Sequence, residues 1–183
     1  MKTRSVFFAA LAVLGFATIS SCKKDDPIVA IGQHHQGGIV FYVDGTGKHG
    51  LIAAPNELTG VWQNCNGNNC GTLINGANGE ALGTGKQNTI DIISAYGTDN
   101  AMAAYMCDQL VIEGYDDWFL PSTDEIGLMS TISDQITHSA FYWSSTQSND
   151  KKAYLVSFNS SGTSVLMSDD KEESKSFRAV RAF

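Results

Sequence analysis

The spacing of apolar residues changes period twice along this 183-residue chain, and that double change restricts the fold more than any other feature. Gly38-Ile39-Val40-Phe41-Tyr42-Val43 is β-rich, Asp44-Gly45-Thr46-Gly47 is turn chemistry, and Gly50-Leu51-Ile52-Ala53-Ala54 is a second extended run. Such a pattern predicts a β-hairpin. Its first strand is almost continuously apolar, which puts it inside a sheet and not at a wet edge. From Asn56 to Gly85 the chain is rich in Asn and Gly and has no period, so a long irregular loop is expected, ordered by side-chain to backbone hydrogen bonds.

Helical spacing then takes over. Ile90, Ile92 and Ile93 predict a short helix over 88–96, and a second begins near Thr98 or Asp99. There Met102, Tyr105, Met106, Gln109 and Leu110 follow steps of three and four, with Gly114 as the stop. Ser122 and Glu125 have the spacing of a capping box and predict a third helix from about Thr123 to Ile132. Beyond it, Phe141 to Ser145, Ala153 to Phe158, Thr163 to Met167 and Phe177 to Ala182 read as strands, with a tight turn at Asn159-Ser160-Ser161-Gly162. Strands, then helices, then strands is the order of an α+β fold with an antiparallel sheet, not of alternating βαβ units.

The first residues set the compartment. Lys2 and Arg4 form a basic start, Val6 to Ala17 is uncharged and apolar, and Ser20 and Ser21 lead into Cys22, the layout of a secretory signal peptide. Its twelve apolar residues fall well short of the about 20 needed to span a bilayer. Ile19-Ser20-Ser21-Cys22 resembles the lipobox of bacterial lipoproteins, with isoleucine in place of the usual leucine; the alternative is an ordinary signal peptide ending near a cysteine. The expected division is residues 1–21 as signal peptide, 22–35 as lipidated Cys22 and tether, and 36–183 as one domain. Lys23-Lys24-Asp25-Asp26-Pro27 suits an extended tether and is similar to signals that send lipoproteins to the outer face of the outer membrane. Loss of Lys2 and Arg4 takes the formal charge from −7 to −9, which disfavours nucleic acid and anionic lipid as partners. The membrane partner is expected through the lipid on Cys22.

Three further cysteines remain. Cys65 and Cys70 lie in a polar loop and are expected to bridge in an oxidising compartment, worth about 2 kcal/mol by the chain-entropy relation, leaving Cys107 reduced and buried. A zinc site lacks ligands at suitable spacing. Gly83-Thr84-Gly85-Lys86 invites a phosphate-binding reading, which the spacing refuses, because Glu80 and Gln87 stand where a P-loop has glycine and a hydroxyl residue. Adjacent His34 and His35 on an extended segment point to opposite sides, while His49 and His138 stand alone. Asp116, Asp117, Asp124, Glu125, Asp169 and Asp170 keep calcium open as an alternative, without the D-x-D-x-D-G spacing; Asp124 and Glu125 have a sufficient role at a helix N-terminus. No nucleophile elbow or H-E-x-x-H is present. No catalytic residue, metal or cofactor is assigned.

Six segments, taken in order, are similar to the Lcl C-terminal domain family. They are Gly37-Gly38-Ile39-Val40-Phe41, His49-Gly50-Leu51-Ile52-Ala53-Ala54-Pro55, Gly83-Thr84-Gly85-Lys86-Gln87-Asn88-Thr89, Asp117-Trp118-Phe119-Leu120-Pro121-Ser122, Tyr142-Trp143-Ser144-Ser145-Thr146 and Arg178-Ala179-Val180-Arg181. The resemblance implies a C-type-lectin-like fold, with a twisted antiparallel sheet, two to three helices, and the two ends of the domain close together. It also implies an extracellular setting. Formylglycine-generating enzymes share that superfamily but use late cysteines, and nothing after Cys107 is cysteine. Calcium-dependent sugar-binding lectins use Trp-Asn-Asp, where this chain has Trp143-Ser144-Ser145.

The resulting expectation is a lipid-anchored surface module for adhesion or for recognition of glycan or protein ligands. The alternative is a structural subunit of an envelope assembly. Trp118, Leu120, Trp143 and Phe158 are expected in the core. Arg178 and Arg181 should face opposite sides of a strand, one of them pairing with Glu125 or Asp117. Exposed ligand-binding candidates are Trp62 and Asn64 in the long loop and Gln147, Asn149 and Tyr154 near the later strands.

Overall fold

The computed structural model describes residues 28–64, 71–136, 141–158, 161 and 163–183. Cys22, the Cys65–Cys70 pair, His138 and most of the 159–162 turn lie outside the described residues. The fold is α+β. One sheet has the order β1 (His34–His35), β2 (Gly38–Val43), β3 (Gly50–Ala53), β9 (Val180–Ala182), all antiparallel. The second has the order β4 (Leu58–Gly60), β8 (Lys175–Phe177), β5 (Tyr142–Gln147), β6 (Lys152–Phe158), β7 (Ser164–Asp170), antiparallel except where β5 meets β8. Between β4 and β5 run α1 (Gly85–Tyr96), α2 (Ala103–Asp108) and α3 (Thr123–Leu128), the last continued by a 3-10 turn over Met129–Ile132.

The continuous apolar run of β2 has a direct cause: both faces of the strand are buried. Val40 and Ile52 point into one core, with Trp62, Ile92, Ala104, Trp143 and Phe177. Ile39, Phe41 and Leu51 point into the other, with Ile126, Met129, Tyr142 and Phe158. Successive strand residues face opposite sides, so neighbouring side chains on β5 (Tyr142, Trp143) and on β6 (Leu155, Val156) divide between the same two cores. Trp118, Leu120, Trp143 and Phe158 are all buried as expected.

The structure departs from the sequence expectations in four places. The long loop contains β4, and α1 begins at Gly85, three residues before Asn88. The second helix is only six residues long. Met102 stays extended and pairs with Val61, so helical bonding starts at Ala103. Gly114 serves a tight reversal between Ile112 and Tyr115, after the helix has already ended. The Phe177 to Ala182 run is two strands, β8 and β9, in different sheets. Finally, the stretch expected as tether is partly built in: Gly32 N–H donates to Val40 O (2.8 Å), and His34 and His35 pair with Ile39 and Gly38. The two ends meet, since Phe183 exchanges backbone bonds with Gly50 and packs its ring edge-on against His35 at 5.0 Å.

Two polar joints tie loops to these elements. Ser122 and Glu125 form the expected capping box of α3. Glu125, fully buried, also accepts from Gly83 N–H at 2.8 Å. The Gly83-Thr84-Gly85 loop therefore does converge on an anion, and the anion is a carboxylate of the same chain. A Cβ at Gly85 would stand 2.2 Å from Glu125 Oε2, so only glycine fits there. The second joint is Arg181, which binds Asp117 through Nε (2.6 Å) and Nη2 (3.1 Å), stacks on the Tyr115 ring at 4.2 Å and reaches Gln36. Of the two carboxylates proposed for that arginine, Asp117 is the partner, and the guanidinium holds its carboxyl below the usual range. Arg178 instead donates to Ala54 O and Pro55 O.

Candidate functional site

Between residues 72–75 and the C-terminal half of α1 lies a surface cleft of about 320 Å³, with Leu73, Asn75, Asp91, Ser94 and Tyr96 among its walls. The 72–75 segment has no secondary structure of its own, and three side chains fasten it. Gln147 bonds both backbone groups of Ile74, its Oε1 accepting from Ile74 N–H at 3.0 Å and its Nε2 donating to Ile74 O. Tyr96 OH donates to Thr72 O at 2.9 Å, and Lys171 Nζ to the same oxygen at 3.3 Å. With Thr72 and Ile74 both tied down, Leu73 between them stands 64% exposed at the mouth of the cleft.

Behind the segment lies an unusual buried group. Lys171 is 1% exposed, donates to Gln147 Oε1 at 3.2 Å and sits 4.5 Å over the Trp62 ring. An ammonium on an indole face is favourable, yet burial still pulls its pKa from 10.5 down to about 8, against the attraction of Asp150. Trp62 also donates its Nε1–H to Ser144 O at 2.8 Å and meets the Tyr96 ring edge-on, 6.4 Å between centroids. Burial raises the Tyr96 phenol to about 12, so its hydroxyl stays a donor at physiological pH.

The exposure expected of two of the five ligand-binding candidates is thus corrected. Trp62 is fully buried and Gln147 is 4% exposed, so both serve as the floor and the clamp of the cleft rather than as contact surface. The period-free stretch around Trp62 concealed its role, because the groups that meet its ring, on Tyr96, Ser144 and Lys171, lie far away in sequence. Asn64 is exposed but bonds Asp99 at 2.7 Å. Asn149 is exposed and closes the β5–β6 turn by accepting from Lys151 and Lys152 N–H groups. Tyr154 is half-buried on β6 opposite Ser168. The structure brings Trp62 and Gln147 together beneath one segment. Leu73, Asn75 and Asp91, which line the cleft, were not singled out in the sequence; an exposed leucine in a loop was the available signal.

Chemically, the cleft offers a carboxylate, an amide, a hydroxyl and an aliphatic side chain on a fastened frame. At Gly76, φ is +104° and a Cβ would stand 2.3 Å from Asp91 Oδ2, so the chain passes close against that carboxylate. Asp91 also accepts from Gln87 Nε2 at 3.0 Å. Cys107 is buried and free, its thiol pushed well up by burial. Among the described residues no three His, Cys, Asp or Glu stand close enough together to hold a metal ion, and no helix is long and apolar enough to cross a membrane.

No protein-family model matches the chain, and no curated protein matches it. Among solved structures it is similar to the crystal structure of a fimbrial protein from Bacteroides ovatus, with a TM-score of 0.50 and 16% identity. That similarity covers 78% of this chain and 43% of the fimbrial protein, so the chain spans less than half of that protein's length. At this identity the likeness is one of fold.

Proposed function

We propose that this chain is a cell-surface recognition module, tethered by lipid on Cys22, that binds a small polar ligand in the cleft between residues 72–75 and α1. The observation that carries the reading is the fastening of that cleft. Gln147, Lys171 and Tyr96 hold the segment at Thr72 and Ile74, while Leu73 and Asn75 stay exposed. A pre-ordered wall with one aliphatic contact and several hydrogen-bonding groups loses little entropy on binding. A volume of about 320 Å³ lies at the lower end of small-ligand sites, suited to one sugar unit or one peptide side chain. A C-type-lectin-like fold of the Lcl C-terminal type belongs to the same proposal.

A second reading is a structural subunit of a surface assembly that binds only protein. It draws on the fold shared with a fimbrial protein. Glycan arrays and whole-cell pull-downs with Leu73→Asp and Asn75→Ala separate the two. Both residues are exposed, so melting temperature should stay nearly constant while glycan or peptide binding weakens at least about tenfold, the equivalent of about 1.4 kcal/mol. Binding that survives both substitutions would remove the cleft as the site.

A further inference from the structure

Four strand edges bound the two sheets, and β7 differs from the other three. β1 is two residues long. Along β9, Phe119 and Val180 exchange both backbone bonds, at 2.8 and 3.0 Å. β4 has only three residues, and the next one, Val61, already donates its N–H to Ala101 O and accepts from Ala103 N–H. β7 pairs with β6 through all seven of its residues, from Lys152↔Asp170 to Phe158↔Ser164. Among the described residues, the outer side of β7 pairs with no backbone from Ser164 to Asp169, and at its last residue Asp170 O accepts the turn bond from Glu173 N–H at 2.9 Å.

That open edge carries Val165, Leu166 and Met167 in succession, 50%, 51% and 49% exposed. Successive strand residues face opposite sides, so the apolar surface lies on both faces of the sheet. A helix laid on one face would cover only part of it. A further strand with apolar residues on both of its own faces covers all of it, and β7 is itself such a strand. A long, apolar, unprotected edge is the arrangement that strand addition uses.

Charge then selects orientation and partner. Asp169 and Asp170 lie at one end of β7 and are already paired within the chain, with Lys175 at 2.8 Å and Lys152 at 3.7 Å. The edge therefore does not call for a basic partner. In a parallel pairing of two β7 strands, the carboxylates would stack on their counterparts at about 4.8 Å. In an antiparallel pairing centred on Met167, Asp169 faces Val165 and Asp170 faces Ser164 of the other copy. Equivalent Asp169 residues are then four positions apart along the strand, about 14 Å, beyond the Debye length of about 8 Å.

We propose that β7 pairs antiparallel with β7 of a second copy of this chain, across a two-fold axis at Met167, joining the two five-stranded sheets into one. Sedimentation velocity on the purified protein, from about 1 μM to about 500 μM, tests this across the range of a modest interface. The wild type should move from monomer to dimer. Met167→Lys and Met167→Glu each put two like charges on the axis and should weaken dimerisation at least about tenfold, and an equimolar mixture of the two should restore it as a heterodimer. The side chain is half-exposed, so each variant should keep the wild-type melting temperature; rescue in the mixture shows directly that both have folded. A wild type that stays monomeric throughout, or dimers that persist equally in each variant alone, would overturn the proposal.

Discussion

At the scale of the residue, Lys171 shows how a tertiary environment can set a side chain's behaviour against its usual chemistry. Lysine is rarely fully buried, and here its ammonium is held by carbonyl oxygens and the Trp62 face. Its folded pKa of about 8 lies below the ordinary 10.5. Between those values the unfolded chain holds more protons than the folded one, so this group makes stability rise with pH across that window; below about 8 the cost of burying the charge is present in full. Lys171→Met removes the titration while preserving most of the apolar stem. Unfolding free energies measured at intervals from pH 7 to pH 10 should show the wild type gaining on the variant above about pH 8. A difference that stays flat with pH would show that Lys171 is not buried as a cation. Nothing in the sequence marks this lysine, which follows Asp169 and Asp170 in what reads as an exposed turn.

At the scale of the element, one carboxylate ties the start of α3 to the entry of α1. α3 has only six residues and α2 likewise, too short to be stable alone, so their caps and packing decide whether they form. Glu125 accepts from Ser122 N–H at 2.9 Å and from Gly83 N–H at 2.8 Å, which ties the start of α3 to the loop that enters α1. Glu125→Ala leaves the buried Ser122 N–H without an acceptor, at about 1–3 kcal/mol, and frees the exposed Gly83 N–H to water, so it should destabilise the protein by about 1–3 kcal/mol in urea unfolding. A loss under about 0.5 kcal/mol would mean that water takes over the role. Part of this was legible: Ser122 and Glu125 announce a cap by their spacing. The spacing around Gly83-Thr84-Gly85 argues against a phosphate site there, and nothing along the chain reveals that Glu125, 40 residues beyond Gly85, accepts from that loop.

At the scale of the whole molecule, the N-terminal segment and the domain make separate claims. If Cys22 carries lipid, Cys22→Ser should leave an unprocessed precursor and shift the protein out of the detergent phase in phase partitioning; equal recovery of both forms there would defeat the tether. The domain's α+β class follows from sequence alone, because a strand period and a helix period place apolar groups on incompatible faces and the chain changes between them only twice. The β2–β3 hairpin, the capped third helix and the burial of Trp143 were legible from local pattern, whereas the choice of Asp117 over Glu125 as the partner of Arg181, 64 residues away, belongs to the tertiary structure. The tertiary structure alone decided that Phe177 to Ala182 divides between two sheets, that Trp62 and Gln147 become the foundation of a cleft, and that β7 is left as an open edge. Each of these depends on which distant segments meet. A strand pattern states that one side of a residue will be covered; it does not state by what, since burial is a property of the partner as much as of the residue.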